Sequence, residues 1–167
     1  MNDELTRIDI QKMEEELTYR ETVLMPQILE DVKVARSFGD LSENFEYKAA
    51  KAEQRKNMSR IRYLKQMLAS AVVIDAVSAQ DAVGLFDRVT LYMEDDEEEM
   101  TVRLVTTLRQ NALEGLISKE SPLGQAVMGR KVGERAYVKV SEDYGYWVEV
   151  RSIEKGEDDE SLEISAY

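Results

Sequence analysis

Gly39-Asp40-Leu41-Ser42-Glu43-Asn44 separates two long stretches whose apolar residues recur every three or four positions. Upstream the stripe runs Ile10, Met13, Leu17, Leu24, Ile28, Val32 and Ala35, with one turn missed at Arg20. Downstream the expected inward face is Phe45, Ala49, Ala52, Ile61, Leu64 and Leu68. Glycine suits the left-handed position just past a helix end, so Gly39 closes the first helix. Few residues remain before the second helix begins, so the two must lie antiparallel as a hairpin. About 30 residues per helix, at about 1.5 Å each, predict an arm of about 45 Å.

The first helix has a start signal in Thr6 and Asp9, a capping-box spacing with aspartate at its fourth position. Pro26 interrupts the stripe. It removes a backbone donor and predicts a bend or a weak turn there.

After residue 70 the period changes. Ala71-Val72-Val73-Ile74 is a short apolar run. Residues 88–92 and 101–105 read as strands joined through the acidic stretch Glu94 to Glu99. Ser121-Pro122 is a helix start and Gly129 a helix stop. Residues 135–140 and 146–150 alternate as strands. The expected fold class is α+β. An antiparallel two-helix coiled coil over 1–75 precedes a small domain over 76–156, and an acidic tail over 157–167 reads as loose.

Composition narrows the chemistry. The 167 residues are 43% hydrophobic and 34% charged, enough for a core and a solvated surface. No apolar run is long enough to span a membrane, and the start resembles no secretory signal, so the cytoplasm is expected. There is no cysteine and no histidine. That removes disulfides, thiol nucleophiles, the usual zinc ligands and the commonest general base. Net charge is −12, of which residues 1–74 carry about −1 and residues 75–167 about −11. Such a chain is a poor non-specific DNA binder. Within the first half, however, Lys48, Lys51, Arg55, Lys56, Arg60, Arg62 and Lys65 face a single acid, Glu53. That run is either a solvated helix face or a local site for phosphate.

The hairpin tip also reads in two ways. Asp40 can cap the second helix, with Glu43 completing a capping-box spacing, and both carboxylates suit the positive end of a helix dipole. Capping alone accounts neither for the long arm nor for Asn44, Glu46 and Tyr47 just beyond.

Gly39-Asp40-Leu41-Ser42-Glu43-Asn44, followed by Glu46-Tyr47 and Ala49-Ala50, resembles the tip signature of the GreA/GreB transcript-cleavage factors. The similarity extends from Ala35-Arg36 through Gln54 to residues 71–75. A second patch, Ile117-Ser118 and Ser121-Pro122-Leu123-Gly124 through Gly129-Arg130-Lys131-Val132-Gly133, resembles the family's C-terminal domain. The chain departs from the family pattern after Leu5-Thr6, where a glycine is usual. It departs again at residues 141–146, where a Pro-Gly-Gly-like turn is usual.

The resemblance implies a coiled coil that enters the secondary channel of RNA polymerase and an FKBP-like C-terminal domain that docks at the channel rim. The chain would then not be an enzyme by itself. It would stimulate the polymerase's own Mg²⁺-dependent cleavage of backtracked RNA, meeting the extruded 3′ end. Asp40 and Glu43 match the family's metal-coordinating pair, whose Mg²⁺ is shared with polymerase and not bound tightly alone. Arg36, Asn44 and Tyr47 match supporting residues at the tip. Lys48, Lys51, Arg55 and Lys56 lie on the RNA-facing helix. Two other expectations stand beside this one. The first is a related channel binder that inhibits or tunes polymerase. The second is an FKBP-type prolyl isomerase or chaperone using Tyr137, Tyr144, Tyr146 and Trp147.

Overall fold

The structure, a computed structural model, describes residues 3–39 and 44–166. Its contacts divide the chain into two units: residues 10–71, and residues 3–9 together with 72–166. Residues 3–9 therefore group with the sheet unit rather than with the helices.

The first helix is α1, Arg7–Tyr19, continued by a π-helical turn, Arg20–Leu24, and then α2, Met25–Arg36. The Thr6 and Asp9 capping box forms in both directions. The Thr6 N–H donates to Asp9 at 3.0 Å and the Asp9 N–H donates to the Thr6 hydroxyl at 3.3 Å. The disturbance expected at Pro26 lies in the turn just before it. Pro26 has no N–H to offer the carbonyl four residues back. The chain widens there, and the Met25 N–H reaches the Arg20 carbonyl five residues back. Past Arg36 the chain turns, and Gly39 takes a φ of +112°, which a side chain would resist.

The second helix, α3, runs Phe45–Ser70, about 39 Å long. Its inward face corrects the sequence reading over the first half. Phe45, Ala49 and Ala52 are exposed. A seam of shielded positions runs through Tyr47, Ala50, Gln54, Asn57, Ile61, Leu64 and Leu68, in alternating steps of three and four. It includes polar residues at 54 and 57, which an apolar pattern does not reveal. On the opposing helix Arg20 fills the turn that the apolar stripe missed. Arg20 meets Asn57 at 2.9 Å, and Glu16 meets both Arg20 and Arg60. Asn57 and Arg60 are only 2% and 6% exposed, so the middle of the hairpin is a buried polar layer.

The second unit opens with a two-stranded parallel pairing of β1, Glu4–Leu5, and β2, Val72–Val73. A five-stranded sheet follows. Its strands are β3 (Arg88–Met93), β4 (Glu98–Val105), β5 (Leu116–Ser118), β6 (Arg135–Lys139) and β7 (Gly145–Glu154), in the order β5-β4-β3-β7-β6. Only the β4–β5 pair is parallel. The acidic stretch makes the β3–β4 turn, as its flanking alternation predicts. A short helix, α4, Pro122–Val127, starts on the Ser121 hydroxyl, which accepts from the Gly124 N–H at 3.0 Å. Leu123 and Val127 on α4 cover one sheet face, against Val89, Leu91, Val102, Leu104, Val138, Val148 and Val150.

The tail is not loose along its described length. Leu162 packs on the cluster of Leu85, Phe86, Val105 and Leu116. Both the N–H and the hydroxyl of Ser165 donate to the Leu108 carbonyl. The Thr6 hydroxyl donates to Asp158 at 2.5 Å, and Arg109 meets Asp158 at 2.6 Å and the Asp159 carbonyl at 2.9 Å. Arg109 also meets Asp9, at 2.7 Å, and both side chains are fully buried. The acidic composition that suggests disorder is answered by Arg103 on β4 and by Arg109 just beyond it.

Candidate functional site at the hairpin tip

Asp40 and Glu43 lie outside the described residues, so the geometry of the tip is read from the residues that frame it. The cap of α3 is Asn44. Its Oδ1 accepts from the Tyr47 N–H at 2.9 Å, and its amide donates to the Ala35 carbonyl at 2.6 Å. One buried side chain thus satisfies a donor at the start of α3 and an acceptor at the end of α2. The capping role that the spacing offered to Asp40 is filled by Asn44.

Arg36, in the last turn of α2, reaches the first turn of α3. Its guanidinium lies 3.5 Å from the Tyr47 hydroxyl and 5.6 Å from the ring centroid. That hydrogen bond holds the Tyr47 phenol below its usual pKa, and the nearby Arg36 and Lys51 charges add to the effect. Arg36, Asn44 and Tyr47 are therefore brought together, each bridging the two helices or capping one.

The basic run divides in two. Arg60 turns inward to Glu16, and Lys65 pairs with Glu21 at 3.1 Å. Lys48, Arg55, Lys56 and Arg62 are exposed, and half-buried Lys51 donates to Gln54 at 2.9 Å. Sequence reasoning missed two members of this region. Arg20 is not apolar and so registered as a gap. Phe45 reads as core by its apolar spacing, yet it is 81% exposed, with the Lys48 ammonium 5.9 Å from its ring centroid. Phe38, on the other side of the tip, is 65% exposed.

Among the described residues no cluster of three or more acidic side chains could hold a metal ion by itself. Two carboxylates are hard oxygen donors suited to Mg²⁺, but too few to complete its six-fold shell. In the sheet unit Tyr137 pairs with Trp147 at 5.3 Å and Tyr144 with Tyr146 at 6.2 Å, and Arg135 covers Trp147 at 4.3 Å. No helix among the described residues is long and apolar enough to cross a membrane.

Comparison with known proteins gives the family. Residues 4–73 match the N-terminal domain of the GreA/GreB transcription elongation factors, and residues 78–155 match their C-terminal domain. The chain is 42% identical over 137 residues to transcription elongation factor GreA of Thermoanaerobacter pseudethanolicus, covering 81% of this chain and 87% of that one. It is 37% identical over 153 residues to GreA of Streptococcus pneumoniae, covering 90% and 94%. Among solved structures, GreA factor homolog 1 of Thermus thermophilus is 22% identical, with a TM-score of 0.44, covering 93% of this chain and all of that one. The chain belongs to the GreA/GreB family of transcription elongation factors.

Proposed function

We propose that this elongation factor inserts its hairpin tip into the secondary channel of RNA polymerase and stimulates the polymerase's cleavage of backtracked RNA, rescuing arrested complexes. Asp40 and Glu43 supply carboxylate oxygens to a Mg²⁺ site completed by polymerase. An ion held there would supply the Lewis acidity that makes water a competent nucleophile at neutral pH. This division of labour suits a chain without histidine, which lacks the commonest general base at neutral pH. Arg36, Asn44 and Tyr47 hold the ends of α2 and α3 in fixed relation and so position the tip. Lys48, Lys51, Arg55 and Lys56 meet the phosphates of the extruded 3′ end.

One observation carries the reading. Asn44 caps α3, so the fold has its own device for the job that would otherwise explain an acid at position 40. Family membership supports the partner, and the sheet unit is the part suited to docking at the channel rim.

The test compares wild type with Asp40→Asn and Glu43→Gln on stalled polymerase complexes. Both variants keep shape and remove charge. Melting and competition for polymerase are expected to be unchanged, while stimulated cleavage falls at least tenfold and partly recovers at raised Mg²⁺. Full cleavage by either variant removes that residue from the metal site. Polymerase inhibition by wild type, without cleavage, would instead favour a tuning factor.

A further inference from the structure

Phe45 is 81% exposed at the first position of α3 and contributes nothing to the helical seam. It heads a stripe of exposed residues at three- and four-residue spacing: Phe45, Lys48, Ala52, Arg55, Ser59 and Arg62. The stripe is about 25 Å long, and its charges are all positive. The acids of this helix segment, Glu46 and Glu53, lie on another face, where they border a groove floored by Leu24, Ile28, Ala49 and Ala50. One face of α3 therefore offers an aromatic ring at its tip end and cations at intervals behind it. The Lys48 ammonium lies against the ring, which ties the two features together.

An aromatic platform with a cationic track is what an unpaired nucleic-acid strand recognises. Rings accept any base by stacking, and spaced cations follow the phosphates. An apolar protein wall would ask for the ring but not for the track. We propose that Phe45 stacks against an unpaired base near the RNA 3′ end, with Lys48, Arg55 and Arg62 following the adjoining phosphates. The inference rests on the functional reading above and adds to it a specific contact, one with the base itself. Phe45 then holds the terminal segment of RNA still while the bond is cut.

The test uses the full-length chain and backtracked polymerase complexes carrying either a normal or an abasic residue at the extruded 3′ position. Wild type is expected to stimulate cleavage roughly 5- to 100-fold better on the normal RNA, the range that loss of one stacked base produces. Phe45→Leu keeps apolar bulk without the ring, and should bring the two RNAs to within about twofold of each other. Phe45→Trp should keep the preference. A base preference that survives in Phe45→Leu overturns the stacking while leaving the functional reading intact, and points to an apolar protein contact. Absence of stimulated cleavage by wild type on either RNA overturns both. Equal melting of the three proteins, expected for a side chain outside the core, shows that the comparison reports the contact alone.

Discussion

Arg20 and Asn57 hold each other twice across the helical hairpin. The guanidinium donates to Asn57 Oδ1 at 2.9 Å, and the Asn57 amide donates to the Arg20 backbone carbonyl at 3.2 Å. That carbonyl also accepts the Met25 N–H in the π-helical turn. Asn57 therefore binds the one place where the first helix departs from α geometry, and a buried asparagine in a coiled-coil seam specifies register at some cost in stability.

Asn57→Leu separates register from stability. An apolar side chain in the seam should leave global unfolding free energy within about 1 kcal/mol of wild type. The π turn loses its anchor, so the Met25 amide should exchange with solvent at least about tenfold faster. Hydrogen exchange resolved by residue is the measurement. Unchanged protection at Met25 would show that the turn is held by Pro26 alone.

Asn44→Ala removes a cap and a cross-helix bond at once. The expected loss is about 1–2 kcal/mol in denaturant unfolding, with Asn44→Asp recovering the cap but not the bond to the Ala35 carbonyl. If Asn44→Asp matched wild type, the bond to Ala35 would contribute nothing measurable.

Tyr47 gives a pH signature. Its pKa is lowered by Arg36, so ionised Tyr47 stabilises the folded hairpin. The stability so gained is fully present above the unfolded phenol value of about 10 and is lost as pH falls through the lowered folded value. In Arg36→Gln the ring-carbon NMR titration of Tyr47 should move up toward about 10. A midpoint that stays put would exclude Arg36 as the cause.

Arg109 is the point where the tail, the start of α1 and the sheet unit meet. Arg109→Leu leaves Asp9 buried without its cation and should cost about 3–5 kcal/mol. Ending the chain at Gly156 removes Asp158 and Leu162 but leaves that pair, and should lower Tm by roughly 5–10 °C. A truncated chain that melted with wild type would mean the tail only rests on the sheet.

The hairpin was legible because its signals are local: the capping box at Thr6 and Asp9, the glycine at 39, the periodic apolar residues. The strands and the Ser121 cap were legible for the same reason. Four features were not. The seam at Asn57 is polar, and a polar residue reveals that it is buried only through its partner 37 positions away. The tail reads as loose because Arg109 and Arg103, which pair with Asp158 and Asp159, stand some fifty residues upstream. Phe45 reads as core because it is apolar and spaced four residues from Ala49, and one wrong position at the start of the helix turns the predicted face through Ala52, while Ile61, Leu64 and Leu68 still fall on the seam. At the tip, the identity of the cap depended on where α3 begins. Asn44 and Asp40 are both good caps by type.

The pairing of β1 with β2 alters what the hairpin is. Val72 donates to the Asp3 carbonyl and Ile74 to the Leu5 carbonyl, so the strand before the helices and the strand after them are neighbours. The helices are in topological terms an insertion: one unit closes around both of its ends, and residues 10–71 leave and return through a single doorway. Insertions of that kind travel as cassettes. A hairpin from another family member, cut at the same two strands, should graft onto this sheet unit and bring its own tip chemistry with it. A short turn in its place should leave the sheet unit able to fold by itself.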